Sequence, residues 1–187
     1  MALESSMLAL GTLAPDFALP DVVSGQTITR SLFDGDRAFL VMFICRHCPA
    51  VKRVQEELAR IGADYQRRGL GVVAISSNDA VEHPADRPES LKEMAREHRF
   101  TFPFCYDESQ DVARAYHAVC TPEFFLFDSR KHLVYRGQLD DSRPNNGVPV
   151  TGRDLRAAIE AVLTGRAVDA HQRPSVGCGI KWRKGRP

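Results

Sequence analysis

The chain has 187 residues, of which 43% are hydrophobic and 26% are charged, a balance typical of a soluble globular protein. Its formal net charge of +1 gives no general attraction to nucleic acid or to an anionic membrane surface, so neither is expected as a partner. The apolar run from Ala38 to Ile44 is too short to cross a bilayer, and the N-terminal stretch carries Glu4 where a secretion signal carries basic residues. These features predict a cytoplasmic protein.

The first half of the chain predicts a strand, a helix and a second strand. The run from Ala38 to Ile44 is apolar without a break, as in a strand that is covered on both faces. Pro49 follows, and apolar residues then recur at helical spacing, namely Val51, Val54, Leu58 and Ile61. The segment from Leu70 to Ile75 is a second buried strand. This order predicts a parallel strand pair joined by a right-handed crossover.

The second half predicts shorter elements. In chain order they are a loop from Ser76 to Pro88, a helix from Glu89 to His98, a short strand within Phe100 to Tyr106, a short helix from Asp111 to Tyr116, antiparallel strands from Glu123 to Phe127 and from Leu133 to Gly137, and a loop from Asp140 to Pro149. Asp140 and Asp141 invite a metal-site interpretation, but turn and cap hydrogen bonds are favoured.

The last helix is predicted to begin at Thr151 as its N-cap. Its inward residues are Leu155, Ile159, Val162 and Leu163. Residues 166–187 show no period and are predicted to be a tail along the surface. The domain prediction is therefore one domain over residues 1–165, with an N-terminal extension, and a tail over residues 166–187 that packs on or near the same domain.

Five cysteines are too few and too scattered for a disulfide-stapled scaffold. Two of them are close together, as Cys45-Arg46-His47-Cys48, at the turn from the first strand into the first helix. In a reducing compartment such a pair is more often catalytic or metal-binding than structural.

A βαβ unit followed by a ββα unit, with Cys-x-x-Cys at the first strand-to-helix turn, is the arrangement of the thioredoxin fold. The chain also resembles the AhpC/TSA, or peroxiredoxin-like, family, in the subgroup that carries a thioredoxin-type Cys-x-x-Cys. The stretches that carry the resemblance are FICRHCPAVK, VCTPEFFLF, RPNNGVPVTGRDLRAAIEAVL and PSVGCGIKW. The resemblance implies an α/β fold with a central mixed sheet flanked by helices, and thus a thioredoxin-like domain over residues 1–165.

Thiol–disulfide exchange needs one thiol that ionises easily and a second thiol within reach. A helix N-terminus stabilises a thiolate, and the intervening Arg46 and His47 can add positive charge. We expect Cys45 to attack and Cys48 to resolve the mixed disulfide. Pro49 leaves an alternative open, because proline at the first helical position makes Cys48 the N-cap, as in a peroxiredoxin Thr-x-x-Cys motif whose Thr is replaced by Cys45.

The segment Thr121-Pro122 precedes a strand that should lie beside the first strand. The resemblance implies a cis-proline here that faces the cysteine pair and offers backbone for a substrate to pair with. Glu123 follows directly and is either a solvated edge residue or, if burial raises its pKa, a proton carrier for the thiols. Peroxiredoxins carry an Arg near this place, and its absence from residues 120–123 counts against an efficient classical peroxidase.

The other three cysteines receive separate interpretations. Cys120 lies two residues before Pro122 and Cys178 lies in the tail, and either is a candidate for an additional redox thiol. Cys105 is expected in the core.

The leading hypothesis is a thiol–disulfide oxidoreductase that acts on protein disulfides, small thiols or peroxides and depends on an electron-donating reductase. The alternatives are a thiol peroxidase of the AhpC/TSA type and a protein that holds zinc or copper through Cys45, Cys48 and either His47 or Cys178. Metal binding is disfavoured because a second Cys-x-x-Cys is absent. No organic cofactor is expected, and the protein is expected to be a monomer or a homodimer.

Overall fold

The computed structural model describes residues 2–185. The strands are β1 (Ala2–Glu4), β2 (Ala18–Pro20), β3 (Thr27–Thr29), β4 (Ala38–Phe43), β5 (Leu70–Ser76), β6 (Phe104–Tyr106), β7 (Cys120–Thr121), β8 (Glu123–Asp128), β9 (Leu133–Gly137) and β10 (Val176–Gly179). The helices are α1 (Pro49–Tyr65), α2 (Pro88–Glu97), α3 (Asp111–Ala115) and α4 (Arg153–Leu163). Short 3-10 turns lie at Arg30–Phe33, Gln66–Arg68 and Pro84–Asp86.

The central sheet has five strands in the order β6-β5-β4-β8-β9. β4 pairs in parallel with β5, and β5 with β6, whereas β4–β8 and β8–β9 are antiparallel. Every residue of β4 and β5 is buried, which confirms the two covered strands and the parallel pair predicted from the apolar runs.

Each face of this sheet has its own core, because side chains alternate along a strand. Leu40 and Met42 of β4 face the core formed with α1, α2 and α4. Phe39, Val41 and Phe43 face the second core, where α3 and the N-terminal segment pack. Both cysteines of the Cys-x-x-Cys segment belong to the first core.

The start of α4 differs from the prediction by one residue. Gly152 is the N-cap, with a left-handed φ of 66°, and Thr151 lies one position outside the helix. The reason is a carboxylate from elsewhere in the chain: Oδ2 of Asp140 accepts hydrogen bonds from the backbone N–H groups of both Thr151 and Gly152. These bonds confirm the predicted capping role of Asp140.

The end of the chain forms a strand that the sequence analysis did not predict. β10 lies between β1 and β7 in a second, antiparallel sheet of three strands. Ile180, just after β10, is 6% exposed and belongs to the second core. The predicted surface tail therefore contains, at residues 176–180, a strand and a buried contact on the same domain, while residues 186 and 187 of that tail lie outside the described residues.

Within residues 2–185, no helix is both long and apolar enough to cross a membrane.

Candidate functional site

The Cys-x-x-Cys segment connects the end of β4 to the start of α1. Cys48 is the N-cap of α1 and Pro49 is the first helical residue. Proline suits this position because the first N–H groups of a helix have no partner inside the helix. The structure thus confirms that Cys48 is the N-cap, the possibility that Pro49 raised.

Both thiols are buried, and Thr121 contacts each of them. Cys45 and Cys48 are 0% exposed. Sγ of Cys45 lies 3.3 Å from the Thr121 hydroxyl, and Sγ of Cys48 lies 3.2 Å from the Thr121 carbonyl oxygen, which accepts the proton of the thiol form. The Thr121–Pro122 peptide bond is cis, as expected. The cis-proline loop therefore faces the cysteine pair.

Hydrogen-bond donors around Cys48 lower the pKa of its thiol to about 4. The largest contribution is the hydrogen bond from Cys45, and burial opposes it. The Cys178 thiol, the backbone N–H of Val51 and the Thr121 hydroxyl lower the pKa further. Val51 is the third helical residue, so its N–H is one of the donors that a helix start leaves unpaired.

The same arrangement raises the pKa of Cys45. The hydrogen bond to Cys48 is the largest cause, followed by burial and by the negative charge of Asp86. These electrostatics favour Cys48 as the sulfur that is ionised at neutral pH. The expected order, with Cys45 attacking and Cys48 resolving, stays a prediction, and the experiment below distinguishes the two orders.

Asp86 holds the Cys-x-x-Cys turn in place and was missed by the sequence analysis. It is fully buried in the loop between β5 and α2. Its Oδ1 accepts the backbone N–H groups of Arg46, at 2.8 Å, and of His47, at 3.1 Å. Its Oδ2 accepts the side-chain amide of Asn78 and hydrogen-bonds Nδ1 of His47. Burial opposes ionisation of Asp86, but the hydrogen bonds from His47 and Asn78 outweigh it and lower the pKa.

His47 lies next to the thiols, whereas Arg46 points away. Nδ1 of His47 is 3.8 Å from Sγ of Cys45, and the imidazole stacks on that of His83 with ring centroids 5.4 Å apart. The Arg46 guanidinium instead binds the Ser90 carbonyl and the carboxylates of α2 residues Glu93 and Glu97. Its charge is thus paired with α2.

Glu123 is buried, so its interpretation as a solvated edge residue is wrong. It is 2% exposed, and burial raises its pKa to about 7. Its Oε2 accepts the backbone N–H groups of Val119, at 2.8 Å, and of Cys120, at 3.2 Å. The next residue of β8, Phe124, packs in the same core as the reactive cysteines. Because side chains alternate along a strand, the Glu123 side chain lies on the opposite face of the sheet. A proton-carrying role for Glu123 stays a prediction.

The remaining cysteines occupy three different environments. Cys105 is buried in the second core, as expected, and burial raises its pKa to about 12. Cys120 is also buried; burial, and then the neighbouring Glu123, raise its pKa. Cys178 is only partly buried and interacts with Cys48. The structure therefore brings one tail cysteine to the reactive pair.

One group of side chains has the composition of a metal site. Cys45, His47 and Asp86 each place one potential ligand atom within 4.8 Å of the others. The Asp141 carboxylate pairs with Arg153 and Arg173 at 2.8 Å each, instead of making the turn or cap hydrogen bond that the sequence analysis favoured.

A mixed sheet between two layers, with Cys-x-x-Cys at a helix start opposite a cis-proline, defines a thioredoxin-fold protein with a dithiol site. The likeness to the thioredoxin domain of a thiol-disulfide oxidoreductase from Bacteroides vulgatus supports this fold, with a TM-score of 0.59 and 22% identity over 69% of this chain and 88% of that one. More specifically, residues 10–136 match the model of the AhpC/TSA family, and the chain belongs to that family.

Two kinds of relative bear on function. Thiol-disulfide oxidoreductase ResA of Geobacillus kaustophilus is 28% identical over 128 residues, which are 67% of each chain. An uncharacterized conserved protein of the same species is far more similar, with 52% identity, a TM-score of 0.97 and coverage of 100% of this chain and 98% of that one. A hypothetical protein of Sinorhizobium meliloti 1021 follows, with 48% identity, a TM-score of 0.95 and coverage of 97% of this chain and 99% of that one. The chain is thus distantly related to thiol–disulfide oxidoreductases.

Proposed function

We propose that the protein is a thiol–disulfide oxidoreductase in which Cys45 and Cys48 alternate between dithiol and disulfide. The observation that carries the proposal is the position of Cys48. Cys48 is the N-cap residue of α1, its sulfur contacts the Thr121 carbonyl beside the cis-proline, and its interaction with Cys45 is the largest cause of its lowered pKa. A stabilised thiolate with a second thiol in contact meets both requirements of disulfide exchange.

In the reducing direction, a thiolate of the pair attacks one sulfur of a substrate disulfide. A new S–S bond forms to the enzyme, and the other substrate sulfur leaves as a thiolate that takes up a proton. The second cysteine then attacks the enzyme sulfur of this mixed disulfide and releases the remaining substrate thiol. The pair is now a disulfide, and an external dithiol of a reductase returns the two electrons.

Serine variants test this cycle. We would equilibrate wild type, Cys45→Ser and Cys48→Ser in glutathione buffers, locate disulfides by peptide mass spectrometry and assay reduction of a protein disulfide. We expect a reversible Cys45–Cys48 disulfide in wild type and, in a Cys178→Ser background, loss of turnover in both variants with the mixed disulfide trapped on whichever cysteine attacks first. Cys105→Ala, which removes a thiol from the opposite core, is the matched control. Wild-type turnover in both serine variants contradicts the proposal.

Peroxidase activity is the second candidate, favoured by the family match and by the place of Cys48 as an N-cap directly before Pro49. The same samples would be exposed to hydrogen peroxide. Fast peroxide consumption that depends on Cys48 and passes through a sulfenate would identify a peroxidase. Slow consumption combined with fast disulfide exchange supports the oxidoreductase.

The grouping of Cys45, His47 and Asp86 favours a metal-binding alternative with a different readout. Metal analysis of protein purified under reducing conditions tests it. One equivalent of zinc or copper that is lost in Cys45→Ser would support this alternative over disulfide exchange.

A further inference from the structure

The two reactive sulfurs are fully buried, whereas thiol–disulfide exchange requires a partner sulfur to reach them. Cys178, on β10, is the one cysteine of the chain that is not fully buried. Cys178 packs against the core that contains Cys45 and Cys48, and its interaction with Cys48 lowers the pKa of that residue. Cys48 therefore interacts with two other thiols, those of Cys45 and of the partly exposed Cys178.

The backbone holds Cys178 in this position. β10 pairs antiparallel with β7, and Cys178 is in register with Thr121, the residue that contacts both reactive sulfurs. Gly177 allows the close approach, because a Cβ at that position would lie 2.0 Å from the Thr121 carbonyl oxygen. A strand with a cysteine thus occupies the edge beside the cis-proline.

Hydrogen bonds at the two residues after β10 also hold the strand in place. Ile180 donates its N–H to the Val119 carbonyl at 3.0 Å. Lys181 donates to Oδ1 of Asn78 at 2.8 Å and accepts the N–H of Asp79 at 2.8 Å. Asn78 also donates to Asp86, so one side chain joins the tail to the residue that anchors the Cys-x-x-Cys turn.

We propose that Cys178 is a third redox thiol, which carries the disulfide between the buried pair and external dithiols through a Cys48–Cys178 bond. The inference rests on the proposed dithiol cycle. In the first step the Cys178 thiolate attacks Sγ of Cys48 in the Cys45–Cys48 disulfide. The Cys48–Cys178 bond forms, the Cys45–Cys48 bond breaks, and Cys45 leaves as a thiolate that takes up a proton.

In the second step a thiolate of an external dithiol attacks the sulfur of the partly exposed Cys178, and Cys48 leaves as a thiolate. The second thiol of the external molecule then attacks the external sulfur of the mixed disulfide, and Cys178 leaves as a thiolate that takes up a proton. Two electrons pass from the external dithiol to the protein, and the external dithiol becomes a disulfide. The donors around Cys48 make it a good leaving group, because a thiol of low pKa leaves faster.

The pKa of Cys178 fits a thiol that becomes more reactive once the pair is oxidised. In the reduced protein burial is the largest cause of its rise to about 11, and the hydrogen bond and negative charge of Cys48 add to it, while Lys181 opposes it. Oxidation of Cys48 removes both of its contributions. Cys178 then ionises more easily than in the reduced protein.

Two measurements test the relay. First, Cys45→Ser is oxidised with glutathione disulfide and its disulfides are mapped by mass spectrometry; a Cys48–Cys178 bond is expected. Second, oxidised wild type and Cys178→Ser are reduced with a protein dithiol, reduced thioredoxin. Cys178→Ser is expected to form the Cys45–Cys48 disulfide in wild-type yield but to be reduced at least tenfold more slowly, with Cys105→Ala behaving as wild type.

A wild-type rate of reduction in Cys178→Ser, or no Cys48–Cys178 bond in oxidised Cys45→Ser, overturns the relay. Failure of the proposed function has a different signature, because wild type itself would then form no Cys45–Cys48 disulfide. The normal disulfide yield in Cys178→Ser also shows that the fold around the pair is intact. Slow reduction in that variant therefore reports on the missing thiol.

Discussion

At the scale of single residues, the groups around Cys48 set the pKa of its thiol. Its pKa is lowered by two thiols, by the Thr121 hydroxyl and by one backbone N–H of α1, with the Cys45 thiol contributing most. Each favours the thiolate, and together they outweigh burial in the core. Because the thiolate exists only in the reduced protein, this environment stabilises the dithiol form. The couple is therefore expected to be less reducing than that of thioredoxin.

The pH dependence of the thiolate tests this environment. Since the pKa of Cys48 is lowered to about 4 in the folded protein, its thiolate absorbance is expected to persist from neutral pH down to about pH 4. An ordinary cysteine loses its thiolate below about pH 8.5. The measurement is a titration of ultraviolet thiolate absorbance in reduced wild type, with Cys48→Ser as control.

The free energy of unfolding of the reduced protein is also expected to depend on the ionisation of Cys48. A lowered folded pKa contributes stability that is fully present above the unfolded pKa and is lost as the pH falls through about 4. Denaturant midpoints of reduced wild type are therefore expected to fall towards acid pH more steeply than those of Cys48→Ser. Parallel curves for the two proteins would rule out a stabilised thiolate.

Asp86 has two separable effects on the site. Its charge raises the pKa of Cys45, and its carboxylate accepts the backbone N–H groups of Arg46 and His47. We expect Asp86→Asn to lower the pKa of Cys45, measured in a Cys48→Ser background. We also expect it to reduce the free energy of unfolding by roughly 1–3 kcal/mol, because charge-assisted hydrogen bonds are weakened in a buried site.

Glu93→Gln is the matched control for Asp86→Asn. Glu93 is also an acid that pairs with the Cys-x-x-Cys segment, through Arg46, but its side chain is 65% exposed. Its loss is expected to change the free energy of unfolding by less than about 1 kcal/mol, as for other exposed ion pairs. If Asp86→Asn behaves like this control in both readouts, Asp86 does not anchor the turn.

At the scale of elements, β10 depends on two glycines with different surroundings. A Cβ on Gly177 meets backbone atoms of Thr121 and Pro122, which cannot move aside, whereas a Cβ on Gly179 first meets the exposed side chain of Leu3, at 2.9 Å. Gly177→Ala is therefore expected to displace β10 and to destabilise the protein by roughly 1–3 kcal/mol, as overpacking does.

Gly179→Ala is expected to be nearly neutral, because a flexible side chain can give way. Urea unfolding of both variants measures the difference, and disulfide mapping in a Cys45→Ser background shows whether Cys178 still reaches Cys48. Equal stability of the two variants would mean that the close approach of Gly177 to Thr121 is not required.

Helix α1 and strand β10 also show which elements a sequence pattern can predict. The apolar spacing of α1 and the start at Pro49 predicted the helix, and its buried residues include all four that the spacing indicated. β10 has the sequence Val-Gly-Cys-Gly, which lacks alternation and carries two glycines, so no strand was predicted. It forms because β1 and β7 both offer backbone partners.

At the scale of the whole molecule, the tail connects parts that are distant in the chain. Ile180 completes the second core, and β10 is the only strand partner of β1 among the described residues. We expect a chain truncated after residue 165 to lose at least about 2 kcal/mol of stability, since burying one isoleucine contributes that amount. Thermal unfolding measures the loss.

The truncation also tests the predicted division of the chain. If residues 1–165 are a self-sufficient domain, the truncated chain unfolds like the full chain. If the tail is part of the same cooperative unit, as its contacts with both cores indicate, the transition moves to lower temperature and Thr121 loses its strand neighbour.

The sequence by itself determined the local features of this protein. Continuous apolar runs specified β4 and β5, helical spacing specified α1, and Cys45 and Cys48 were recognisable because the chemistry needs two thiols close together in the chain. Only the tertiary structure decided the rest of the site. Asp86 and Cys178 lie far along the chain from Cys48. Glu123 is buried because of the face of the sheet on which its side chain lies. Such contacts arise from packing between distant segments, which leaves no period or spacing in the sequence.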